Sequence, residues 1–137
     1  MRPEDVLLVV YRPRPEFLVL LRSPERHGYW NLVAGGVEEG EAPSAAARRE
    51  LDEESGLAQP VRFESLPLEL SYVRPEGSKV ALHAFMAGAP RGWEPILNEE
   101  HVEFRWCSAA GADALLAYPE PREAVQYVAH MLDTGAA

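Results

Sequence analysis

The stretch that decides how this chain is read is Gly35-Gly36-Val37-Glu38-Glu39-Gly40-Glu41-Ala42-Pro43-Ser44-Ala45-Ala46-Ala47-Arg48-Arg49-Glu50-Leu51-Asp52-Glu53-Glu54-Ser55-Gly56-Leu57. Gly35 and Gly36 give the backbone freedom just ahead of a helical pattern. Pro43 suits a first helical turn and Gly56 a left-handed stop, which predicts a helix over 43–55. On that helix Glu50, Glu53 and Glu54 stand at i, i+3 and i+4 and share one face. Ala47 and Leu51 lie about 60° and 100° round from Glu50 and form an apolar stripe, while Arg48 and Asp52 point to solvent. Like charges at this spacing cost about a few tenths of a kcal/mol per pair, so the cluster opposes the helix unless a cation offsets it. Carboxylate oxygens select hard ions, Mg²⁺ above all, with Mn²⁺ or Ca²⁺ as substitutes. Glutamates so spaced equally describe a solvated acidic helix face, and their spacing alone leaves both readings open.

Working outward, the acidic character is concentrated. Residues 35–57 hold seven acids against two bases, more than half of the chain's net charge of −9. Such a patch repels nucleic-acid backbones and predicts no duplex partner. The 137 residues suit one domain, 1–137, with 47% hydrophobic and 26% charged residues typical of a globular chain. The apolar runs at 6–11 and 17–21 are too short to span a bilayer. Glu4 and Asp5 stand where a signal peptide would be basic and then apolar. Cys107 is the only cysteine, which excludes a disulfide framework and a Cys-based zinc site. A cytoplasmic location and a monomer or homodimer are expected.

The hydrophobic pattern predicts a hairpin from Val6–Tyr11 and Phe17–Arg22 around the prolines of 12–16. A loop over 23–30 leads into a short strand at Asn31–Val33. After the helix come strands at 61–73 and 79–87 around Pro75-Glu76-Gly77, a loop over 90–101, and a strand at 103–107. Helices are expected at 109–117 and 122–132, with Pro119 and Pro121 between them. Interleaved strands and helices predict an α/β fold with a mixed sheet covered by helices.

Gly35, five residues, Glu41, seven residues, then Arg49-Glu50-Leu51-Asp52-Glu53-Glu54-Ser55-Gly56-Leu57 matches Gly-x5-Glu-x7-Arg-Glu-U-x-Glu-Glu-x-Gly-U at every defined position, U being aliphatic. This resembles the box of the Nudix (MutT-like) hydrolase family, and seven such letters should coincide by chance less than about once in a million chains of this length. The resemblance implies an α/β/α sandwich and Mg²⁺-dependent hydrolysis of a nucleoside diphosphate linked to another group. It also implies that Glu50, Glu53 and Glu54 ligate the metal, with Glu53 and Glu54 most central. Arg49, four residues before Glu53, is placed to orient a carboxylate; Glu41 is placed to cap the helix or hold the preceding loop. Where many members carry Pro-Gly before the first box glycine, this chain has Val33-Ala34, whose Ala34 carbonyl stands at the position that often joins the metal shell.

The family often draws a further ligand or general base from outside the box, and Glu100, directly before His101, is the first candidate, with Glu99 second. Arg22 and Arg26 are candidates to hold phosphate oxygens through a guanidinium fork. Trp30, Phe63, Tyr72 and Trp93 are candidates to stack on a flat head, and Trp106 reads as core. His27, His83 and His130 lack any zinc-ligand spacing. The segments Trp30–Glu41 and Glu100–Trp106 look like bacterial dihydroneopterin triphosphate pyrophosphohydrolases, which implies a pterin or nucleoside triphosphate cut to monophosphate and pyrophosphate. Dinucleoside polyphosphate hydrolases, through Tyr72, and a non-catalytic nucleotide sensor are the alternatives; the intact glutamate set speaks against the sensor.

Overall fold

The structure, a computed structural model, describes residues 3–134. Strand β1 (Glu4–Arg12) is the axis of the sheet. It runs parallel to β7 (Lys79–Gly88) from Glu4↔Ala81 to Tyr11↔Gly88. Its antiparallel partner changes along its length. At Tyr11 and Arg12 it pairs with β2 (Glu16–Arg22), whereas residues 5–8 pair with β4 (Val33–Gly36). Strand β2 goes on to pair with β3 (Trp30–Asn31) and with β8 (His101–Cys107). On the other side, β7 takes β5 (Arg62–Ser65) and β6 (Leu70–Val73), both antiparallel.

Alternation along β1 builds two cores, because successive side chains of a strand point to opposite faces. Val6, Leu8 and Val10 face the first, which Ala46, Ala47 and Leu51 of α1 (Pro43–Ser55) close. Leu7 and Val9 face the second, closed by Ala112 of α2 (Ala109–Leu115) and by Ala124, Val125 and Val128 of α3 (Pro119–Asp133). The result is the expected α/β/α sandwich around a mixed sheet. Among the described residues no helix is long and apolar enough to cross a membrane.

Helix α1 has the expected bounds, with Gly56 at φ 79° donating its N–H to Asp52 O at 2.8 Å. Three expectations are corrected. The strand expected over 61–73 is two strands, since Pro67 interrupts the ladder between them and each pairs with a different part of β7. The strand expected at 31–33 likewise divides between two partners, β2 and β1. Pro119 and Pro121 do not separate helices; they occupy the first turn of α3, where backbone N–H groups have no intrahelical acceptor to lose.

Candidate active site

The helix geometry ranks the three box glutamates. Taking Glu50 as zero, Glu54 lies about 40° toward the apolar stripe of Ala47 and Leu51, and Glu53 about 60° away from it. Glu54 is accordingly buried at 2% exposure and Glu50 at 8%, while the Glu53 side chain is 54% exposed. The Ala34 N–H of β4 donates to Glu54 Oε1 at 3.1 Å. Glu50 fills the space above the next residue: a Cβ built on Gly35 would stand 1.7 Å from Glu50 Oε2. The first box glycine is therefore a seat for a carboxylate.

Arg49 connects the parts. It forks onto Glu41, Nε to Oε2 at 2.9 Å and Nη2 to Oε1 at 3.0 Å. Nη2 also donates to Gly36 O at 2.9 Å, and Nη1 to Glu50 Oε1 at 2.7 Å. Its distance to Glu53 Oε1 is 3.5 Å, so the carboxylate it orients is Glu50, and Glu53 is the weaker partner. Glu41 also accepts the Glu38 N–H at 3.0 Å, and the residue before α1, Ala42, gives the helix no side-chain cap. Glu41 thus holds the loop rather than capping the helix.

Glu50, Glu54 and Glu100 line one cavity of about 900 Å³ together with Arg22 and Arg26. Glu100 is brought there by its loop. Ile96 N–H bonds Ser55 O at the end of α1, Glu100 N–H bonds Asn98 Oδ1 at 3.0 Å, and Glu100 O accepts Ser23 N–H at 2.9 Å. Arg26 Nη1 lies 3.4 Å from Glu100 Oε1, and Arg22 Nε donates to Arg26 O at 3.1 Å. Glu99 is exposed and does not line the cavity.

Burial, with Glu50 and Glu100 close by, pushes the Glu54 carboxyl up to about 9 against the pull of the Ala34 N–H. Burial also raises Glu50, with Arg49 opposing. A hard divalent cation would displace the proton that burial keeps on Glu54 and would offset the repulsion between its carboxylate and that of Glu50. Among the described residues no three such side chains yet converge closely enough to ligate an ion, since Glu50 Oε1 is held by Arg49 and Glu53 points outward. Glu50, Glu53, Glu54 and Glu100 offer carboxylate oxygens only, the donor type that hard divalent cations take. The residues present therefore fit Mg²⁺ or Mn²⁺ chemically.

The aromatic candidates are rearranged. Trp30 does not line the cavity; its neighbours Tyr29 and Asn31 do, and Trp30 packs against the second core with the Arg105 guanidinium 4.9 Å from its ring. Phe63 stacks on Phe85 at 5.4 Å, and Trp93 meets Trp106 edge-on at 6.2 Å, both against the first core. Tyr72 does line the cavity. His101 is 5% exposed with no partner for Nδ1 among the described residues, and burial beside Arg22 and Arg26 pushes it down to about 4, which keeps it neutral. It lies opposite Arg22, at a register shift in the β2–β8 ladder, directly after Glu100. Sequence reasoning missed Asp5, Tyr29 and Tyr118, which also line it; only the alternation Tyr29-Trp30-Asn31 carried any local sign that the tryptophan faces elsewhere.

The NUDIX domain family model matches residues 1–128. An octanoyltransferase of Myxococcus xanthus is 32% identical over 92% of this chain, which spans 36% of that protein's length. The dihydroneopterin triphosphate diphosphatase of Escherichia coli K12 is 27% identical over 91% of each chain. The solved E. coli dihydroneopterin triphosphate pyrophosphohydrolase superposes with a TM-score of 0.83 at 25% identity, covering 94% of this chain and 96% of that one. A C. elegans Ap4A hydrolase complex gives a TM-score of 0.82 at 25% identity, over 96% and 98%. The chain belongs to the Nudix family. It is a hydrolase of that class.

Proposed function

We propose that this enzyme is a Mg²⁺-dependent pyrophosphohydrolase that cleaves a nucleoside-triphosphate-like substrate, dihydroneopterin triphosphate or a (d)NTP, to monophosphate and pyrophosphate. The observation that carries the reading is one cavity lined at the same time by Glu50, Glu54 and Glu100 and by Arg22 and Arg26. An acidic wall demands a cation between itself and a polyphosphate, and guanidinium groups suit the remaining phosphate oxygens. Glu50, Glu53, Glu54 and Glu100 would hold Mg²⁺ or Mn²⁺, which when bound polarises the phosphoanhydride and acidifies a water. Arg49 orients Glu50. Glu100, nearest the loop arginines, is the group to accept the water's proton. Tyr29 takes the stacking role expected of Trp30.

A dinucleoside polyphosphate hydrolase is the second reading, favoured by Tyr72 in the cavity. A panel of (d)NTPs, pterin triphosphate, dinucleoside tetraphosphates and ADP-ribose with Mg²⁺ separates the two. Pterin triphosphate should lead in kcat/KM, with dNTPs cleaved and pyrophosphate released. Faster turnover of a dinucleoside tetraphosphate than of every triphosphate would overturn the substrate assignment, and no cleavage of any of them would make the protein a binder.

A further inference from the structure

The cavity also carries polar side chains that do not come from α1. Asp5 sits on β1 with a strand on each side, opposite Gly36 of β4 and Leu82 of β7. A side chain rooted in the middle of a sheet is held more rigidly than one on a loop. Tyr72, from β6, donates its hydroxyl hydrogen to Asp5 Oδ2. Oδ1 has no protein partner among the described residues. Both side chains line the cavity, and the buried Leu7 and Leu82 provide apolar surface beside them. Arg74 and Tyr29 lie close enough to the Tyr72 hydroxyl to affect it, the guanidinium lowering its pKa and the second phenol raising it. Beside the carboxylates of α1 the cavity therefore also carries aromatic surface, apolar surface and the oriented Asp5 carboxylate, with Arg74 and Glu120 on its lining.

We infer that Asp5, oriented by Tyr72, reads the head group of the substrate and selects the amino-lactam edge shared by guanine and pterin. This rests on the reading of the cavity as a nucleoside-polyphosphate site. The chemistry follows from donors and acceptors. A carboxylate only accepts, and its two oxygens match two parallel N–H donors. Guanine offers such a pair in N1–H and its 2-amino group, and a pterin offers N3–H and its 2-amino group. Adenine turns the N1 lone pair and a C–H toward the same place, which sets lone pair against carboxylate. Hypoxanthine keeps the ring N–H but lacks the amino group. Stacking cannot make this choice, since every base has a π face. Burial and the bond to Asp5 push the Tyr72 hydroxyl up to about 12, so it stays a donor and continues to aim the carboxylate.

The test compares dGTP, dITP, dATP and dihydroneopterin triphosphate on the parent enzyme and on Asp5→Asn, Tyr72→Phe and Glu54→Gln. Calorimetric binding of GMP and AMP in EDTA is measured in parallel. The parent should favour dGTP and the pterin over dATP by about 30-fold or more in kcat/KM, with dITP between them. Asp5→Asn should bring guanine and adenine within about threefold of each other through KM, because an amide offers a donor to adenine N1. Tyr72→Phe should weaken the preference in part, and it decides the matter if Asp5→Asn fails to fold. Glu54→Gln should lower all rates alike and leave the ratio. A parent indifferent to the base, or an Asp5→Asn loss equal for dGTP and dATP, overturns the inference and leaves the hydrolase standing. If the parent cleaves no triphosphate, the triphosphate reading fails; GMP binding preferred over AMP in the parent and equalised in Asp5→Asn then still carries the inference, and equal binding in the parent overturns it.

Discussion

The Glu50 carboxylate occupies the space that a side chain on Gly35 would need, with Oε2 1.7 Å from the position of such a Cβ. The nearest atoms belong to the end of a flexible side chain, so an added methyl evicts the carboxylate rather than breaking the strand. Gly35→Ala should therefore separate function from stability. The melting temperature should move by less than about 5 °C, while hydrolysis falls about 100-fold, as expected for a displaced reacting group. Equal activity of the variant would show that the Glu50 position is dispensable.

Removing the carboxyl of Glu54 should stabilise the cation-free protein. Gln keeps the acceptor for the Ala34 N–H and removes a group that ionises freely in the unfolded chain but must take up a proton to be buried. Glu54→Gln should be more stable than the parent by ~1–2 kcal/mol at neutral pH and without cation. It should lose turnover by orders of magnitude, together with the rise in melting temperature that Mg²⁺ gives the parent. Denaturant titrations with EDTA and with Mg²⁺ check both.

The same group sets a pH dependence. Glu54 ionises near 4.5 in the unfolded chain and near 9 in the native one. Between those values the native state binds the extra proton, so stability of the cation-free protein falls as pH rises and levels off above the upper one. Cation binding expels that proton, and Mg²⁺ affinity should rise with pH over the same range. Thermal melts in EDTA across this window should slope downward for the parent and lie flatter for Glu54→Gln.

Arg49 ties Glu41, the Gly36 carbonyl and Glu50 together from a position only one-quarter exposed. Arg49→Lys cannot form the fork onto Glu41 and should cost ~1–2 kcal/mol, with Arg49→Ala costing more and loosening Glu50. A double-mutant cycle with Glu41→Gln should return a coupling of ~1 kcal/mol or more. Simple additivity would mean that the two residues act independently.

Glu100 and Glu99 should differ sharply. Glu100 lines the cavity beside Arg26, and Glu99 faces solvent. Glu100→Gln should lower kcat far more than it raises KM, as for an interaction made mainly in the transition state, and Glu99→Gln should change little. Steady-state kinetics with the preferred triphosphate reads the ranking; its reversal would move the proton acceptor to Glu99.

Local regularities carried the sequence a long way. The period of α1 put Glu50, Glu53 and Glu54 beside an apolar stripe, and the angular order along that stripe already ranked their burial, because a helix turns its side chains by a constant step. Hydrophobic runs located β1, β2 and β7, and Gly56 ended α1 where its left-handed φ of 79° requires. The sandwich followed from the interleaving of those elements. What pairs with what across long separations was decided only by the folded chain. Tyr72 meets Asp5 across 67 residues through the register of β6, β7 and β1, and no periodicity of either segment encodes that meeting. Tyr29 rather than Trp30 lines the cavity because a strand's in–out alternation depends on which face its partners leave open. The acidic helix could be read one residue at a time; the wall facing it exists only where separate strands come together, and its chemistry belongs to that packing.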